Sequence, residues 1–122
     1  MSDATPLRSA TSIADDAPVR LYITNGQEAE QAIGPIALEG RARVLYSGYV
    51  FNNSTGAAQS LEFRDSVGGA VFWAPKIADN ADKYLPFRVR SPSGERPSVK
   101  VVTAGGIAAG GIEVIVHLAQ EV

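Results

Sequence analysis

The chain runs to 122 residues, 45% of them hydrophobic and 20% charged, with a formal net charge of −2 and no cysteine. Those figures suit one globular domain with its own core. They exclude a basic nucleic-acid binder, a disulfide-stapled scaffold and cysteine-containing zinc motifs. No apolar run reaches the ~18 residues a membrane helix needs. The N-terminus also lacks the basic-then-apolar order of a secretion signal. Synthesis in a reducing cytosol, with no membrane segment, is the expectation.

Residues 1–18 are rich in Ser, Thr, Ala, Asp and Pro. Asp3, Asp15 and Asp16 stand against Arg8, which leaves residues 19–122 electrically balanced. Leu7 and Ile13 are isolated apolar residues, too few to offset the entropy of ordering the segment alone. Three readings stand side by side: a frayed terminus, an arm that orders against a partner through Leu7 and Ile13 with Arg8 nearby, and an edge strand of the domain.

From residue 19 the hydrophobic period is two. Val19, Leu21 and Ile23 alternate with Arg20, Tyr22 and Thr24, a half-buried strand ended by the Asn25-Gly26 turn. The stretch Gln27 to Ala32 is the one short segment with helical character. Ile33 to Leu38 carries Gly34-Pro35, which suits an edge or bridging segment. Residues 41–52, RARVLYSGYVFN, are apolar on both faces, with Leu45, Tyr49 and Phe51 on one and Val44, Tyr46 and Val50 on the other. Such a strand reads as covered on both sides.

After the NNSTGA turn, Leu61 and Phe63 point in while Glu62 and Arg64 point out. Val71, Trp73 and Ile77 share a face of the next strand. Leu85, Phe87 and Val89 alternate with Arg88 and Arg90. The polar loop SPSGERP, a short strand over 99–103 and a glycine-rich connection then lead to a last strand carrying Ile112, Val114, Val116 and Leu118. The expected architecture is an all-β, seven- to eight-stranded antiparallel sandwich, jelly-roll or immunoglobulin-like, over residues 19–122, with an extended N-terminal arm over 1–18.

Chemistry is scarce. His117, the one histidine, lies on an outward face without a nucleophile or orienting carboxylate near it in sequence. No serine sits in a G-x-S-x-G elbow. Asp79, Asn80 and Asp82 lack the glycine and distal glutamate of a calcium loop. Gly105-Gly106 and Gly110-Gly111 lack the lysine of a phosphate-binding loop. The NNS and NST sequons at Asn52 and Asn53 read as turn residues. Trp73, Tyr46 and Tyr49 suit either core and subunit packing or a sugar-binding platform. Arg88 and Arg90, with Arg64 and Glu62, suggest a cross-strand charge ladder or a surface for an acidic partner. No enzyme, cofactor or metal is expected. The candidate partner-binding residues are Leu7, Arg8, Ile13, Tyr46, Trp73, Arg88 and Arg90.

Gly48, Tyr49, Phe51, Asn52 and Asn53 lead to Leu61, Phe63 and Asp65. Leu85-Pro86-Phe87 and the terminal Val114, Val116 and Leu118 follow. Over residues 41 to 119 this order resembles small β-sandwich proteins of tailed bacteriophages. The resemblance implies a non-enzymatic virion protein, synthesised in the host cytoplasm, that decorates or cements the capsid exterior. Its partners would be the major capsid protein or other virion proteins, and copies of itself as a dimer or trimer, with no nucleic acid or membrane involved. It leaves open a tail or head-fibre component, or a carbohydrate- or receptor-binding module. The SPSGERP loop and the long N-terminal arm depart from many members of that group.

Overall fold

A computed structural model describes residues 17–35 and 40–120, and among them it is all-β. In chain order the strands are β1 (Ala17–Thr24), β2 (Gln31–Ala32), β3 (Arg43–Asn53), β4 (Gln59–Arg64), β5 (Val71–Trp73), β6 (Lys76–Ile77), β7 (Asp82–Tyr84), β8 (Val89–Arg90), β9 (Ser98–Val101) and β10 (Gly111–Gln120). They form two antiparallel five-stranded sheets. Sheet one runs β1-β10-β3-β7, with β8 also on β3; sheet two runs β2-β9-β4-β5, with β6 also on β4. The two sheets pack as the expected sandwich.

The long strands follow from alternation. In β10, Ile112, Val114 and Val116 point inward, and in register with them lie Ile23, Leu21 and Val19 of β1 and Asn52, Val50 and Gly48 of β3. Sheet two answers with Leu61 and Phe63 of β4 and Val99 and Val101 of β9, all buried. Residues opposite each other in an antiparallel pair share a face, so one register fixes both the core and the outer surface.

The structure corrects several sequence expectations. Ten strands are described instead of seven or eight, because β2, β6 and β8 have only two residues each. The stretch expected to be helical ends in β2, and no helix occurs among the described residues. The alternation from Leu85 to Arg90 is not one strand: only Val89 and Arg90 pair, because Pro86 has no N–H to give a ladder. Pairing in β1 begins at Ala17, so the strand takes in the last two residues of the expected arm.

The two-faced reading of β3 has a specific origin. Ser47 pairs with His117 and Leu45 with Leu118, so Tyr46 is an extra residue, a β-bulge. The bulge switches parity, bringing Leu45 to the same inner side as Gly48 and Val50. Cover on both sides holds only at the start, where Arg43, Val44 and Leu45 are all buried. A second irregularity in β5 pairs Phe63 with Trp73 but Arg64 with Val71. Trp73 therefore turns inward while Val71 is 44% exposed, and the two do not share a face as expected.

Gly48 shows why a small residue sits mid-strand. A Cβ there would meet the Cβ of Leu85 at 3.1 Å, and Leu85 donates its N–H to the Gly48 carbonyl at 2.9 Å. The missing side chain makes room for Leu85, which closes the core beside β7.

Candidate interaction surfaces

No constellation of reactive groups assembles among the described residues. No group of three or more His, Asp and Glu side chains is placed to hold a metal ion there. Asp79 and Asn80 lie in a turn set by backbone bonds between Asn80 and Asn52 and between Asn52 and Ala81, at 2.8 and 2.9 Å. Asn52 is fully buried, and its amide donates to the carbonyls of Ala57 and Ile77 at 2.8 and 2.9 Å. That sequon asparagine is a structural brace. The gap between the sheets, lined by Leu45, Val50, Phe63, Trp73, Leu85 and Val116 among others, is too narrow to admit a water molecule.

The sequence candidates scatter. Leu7, Arg8 and Ile13 lie outside the described residues. Trp73 is half-buried, its ring packed against Phe63 at 5.0 Å between centroids. Arg88 is exposed in the link between β7 and β8; Arg90, also exposed, is on β8 beside Val44 of sheet one. Arg64 and Glu62 belong to sheet two, so the expected ladder joining all four does not form. Arg64 instead bonds Glu62 on its own strand at 2.9 Å. Tyr46 does reach a surface, its ring 5.9 Å from that of His117.

That surface is the outer face of sheet one, which the sequence reading did not assemble. Two rows cross all four strands. One runs Arg20, Ile115, Tyr49, Tyr84 and the other Tyr22, Glu113, Phe51, Asp82. With Tyr46 beside them, all four tyrosines of the chain lie on this face. Tyr22 is 53% and Tyr84 67% exposed, the most exposed aromatic residues described. Tyr49 and Tyr84 stack at 5.0 Å with a 54° tilt. Burial and the neighbouring Asp82 carboxylate push the Tyr49 hydroxyl above the usual tyrosine range. Arg20 bonds Glu113 at 2.6 Å across β1 and β10. The Tyr22 ring packs over Gly111, where a Cβ would meet it at 2.7 Å. The clue in sequence was that Tyr22, Tyr49 and Phe51 sit at odd-phase positions opposite to buried neighbours; the partner register needed to join them was not visible there.

The outer face of sheet two is mostly polar, with Val71 exposed at its β5 edge. Glu62 stands opposite Lys100, and Arg64 donates to Glu62 and to the Gly69 carbonyl at 3.0 Å. Glu30 accepts from the Ser98 hydroxyl at 2.5 Å and the Gly68 N–H at 3.0 Å, which hold its carboxyl below the usual range. Glu28 accepts from the N–H groups of Ile107 and Gly26, both at 2.9 Å, and is lowered likewise, chiefly by Ile107. The outer edge of sheet one, β1, carries Pro18 and exposed Arg20, residue types that discourage strand addition.

No protein-family model matches the chain, and no curated protein does. Among solved structures, a subunit from work titled "Bacillus endospore appendages form a novel family of disulfide-linked pili" overlays with a TM-score of 0.54 at 12% identity. That overlay covers 99% of this chain and 97% of that one. A protein of the virus-like particle of extra small virus, from the giant freshwater prawn Macrobrachium rosenbergii, overlays with a TM-score of 0.43 at 7% identity, covering 98% of this chain and 87% of that one. The first likeness shows a shared sandwich fold.

Proposed function

We propose that this chain is a non-enzymatic structural subunit of a bacteriophage particle, one that decorates or cements the capsid exterior. The observation that carries the reading is the outer face of sheet one, where an otherwise well-packed sandwich leaves Tyr22 and Tyr84 in the open beside half-buried Tyr46 and Tyr49. Contiguous aromatic surface on a small domain marks an interaction site. The strand pattern over residues 41–119 supports the phage assignment, and the fold shared with an appendage subunit supports a role in assembly. The mechanism is adhesion by a rigid body, with the polar segment before Ala17 as a tether whose apolar anchors are Leu7 and Ile13. Several weak contacts on one particle then add through effective concentration.

The test is binding to purified capsids by the full chain and by a chain beginning at Ala17, where strand pairing starts. The full chain should saturate the shell, and the shorter one should melt alike but occupy it at least about tenfold more weakly, as loss of one arm of a multivalent contact predicts. Absence of binding by the full chain sinks the capsid assignment. Equal binding by both moves attachment to the sandwich.

A second reading is favoured by the overlay along 99% of the chain: a subunit of a filament made of its own copies. With no cysteine, such a filament would be joined without disulfides. Fibres seen by electron microscopy of the concentrated protein would select it.

A further inference from the structure

We infer that the aromatic face of sheet one is the contact between two copies of this chain, packed face to face about a two-fold axis running along the strands. The charges on the face select this occupant. Arg20 lies on β1 at one side, Asp82 lies on β7 at the other, and Glu113 between them is neutralised by Arg20 at 2.6 Å. A two-fold axis between β10 and β3 lays the β1 of one copy over the β7 of the other. It thereby brings the Asp82 carboxylate of each copy to the other's β1, a contact made twice, as an interface shared equally by both partners requires.

The rows then complement each other. Arg20 of one copy comes over Tyr84 of the other, where a guanidinium favours an aromatic face. Ile115 comes over Tyr49, and Tyr22 meets Asp82 through its hydroxyl. The same axis sets Glu113, already paired with Arg20, over Phe51. The size also fits. Strands ~4.8 Å apart with ~3.3 Å per residue make this face roughly 20 by 25 Å. Two copies would bury on the order of 1,000 Å², the lower bound for a specific dimer. A saccharide is served less well, since Tyr49 and Tyr84 are tilted by 54° and Tyr46 and His117 by 38°, which gives no flat platform. The inference rests on the adhesive reading of this face and not on the capsid assignment.

Sedimentation of the full chain should give twice the chain mass at about 100 µM, well above a micromolar dissociation constant. Arg20→Glu, which takes the cation off Tyr84, and Asp82→Arg, which takes the acceptor from the Tyr22 hydroxyl, should each weaken the dimer by at least about tenfold. Circular dichroism of each variant confirms the fold, which these exposed positions do not support. A full chain that stays monomeric overturns the inference. So do a dimer indifferent to both reversals and a monomer that binds a glycan array through Tyr84. A monomer that still coats capsids defeats this inference alone, whereas a dimer that never binds them defeats only the capsid role.

Discussion

The two outer faces of the sandwich are built from the same alternation and carry opposite chemistry. Sheet two shows water a lattice of Glu30, Glu62, Arg64 and Lys100 whose members answer one another. Sheet one shows Tyr22, Tyr49, Tyr84, Phe51 and Ile115, with Arg20 and Glu113 already satisfied by each other. Polar outward residues that pair among themselves leave little for a partner. Aromatic ones pack against neighbours yet keep a broad surface, and that surface is where binding free energy concentrates in protein contacts. The difference teaches that an outward position is not by itself a solvent position.

Substitutions can break this contrast or sharpen it. The largest effect belongs to the core that both faces share. Phe63 is 1% exposed and packs on Trp73 and Phe72, so Phe63→Ala should destabilise by about 3–5 kcal/mol in denaturant melts. A loss below about 1 kcal/mol would mean the sandwich interior is not the common support assumed for either face.

On the polar face, Arg64→Ala removes bonds to Glu62 and to the Gly69 carbonyl and should lower stability by about 1–2 kcal/mol. It should leave any self-association unchanged. If it dissolves the dimer while Arg20→Glu does not, the two faces have been assigned the wrong way round.

The smallest effect is a pH dependence. The carboxyls of Glu28 and Glu30 both titrate lower in the folded chain than in free glutamate. The folded state therefore favours their ionised forms. The stability they contribute is complete above the unfolded pKa of about 4.3 and is lost as pH falls through the lower folded values. Thermal midpoints should thus hold from neutrality into that range and fall below it. A Glu28→Gln/Glu30→Gln double variant should show a shallower acid fall. An unchanged fall would assign the acid response to other carboxylates.

Much of the framework was legible because its strands are long and one-sided. The alternations of Val19 to Ile23 and of Ile112 to Leu118 each predict a strand, and both form. Misreadings cluster where a single residue breaks the period. Tyr46 is such a residue in β3, and its bulge made a one-sided strand look apolar on both faces. Phe72 is another, and it set Trp73 against the core while Val71 stayed exposed, so the two do not share the expected face. Two-residue strands such as β6 and β8 have no period to read; they exist because a long neighbour offers free backbone groups. The aromatic face escaped for a different reason. Its members come from four strands, and only the pairing of β10 with both β1 and β3 brings them together.

That same pairing has a consequence for the order of biosynthesis. β10 lies between β1 and β3 in sheet one, yet it leaves the ribosome after every other described strand. Until residues 111–120 emerge, β1 has no neighbour, and β3 has only the short β7 and β8. Local segments can collapse earlier, but the pairing that closes sheet one spans most of the chain and must wait. The aromatic rows take shape at that moment and not before. A nascent chain therefore cannot present the assembled rows before its last described strand has paired.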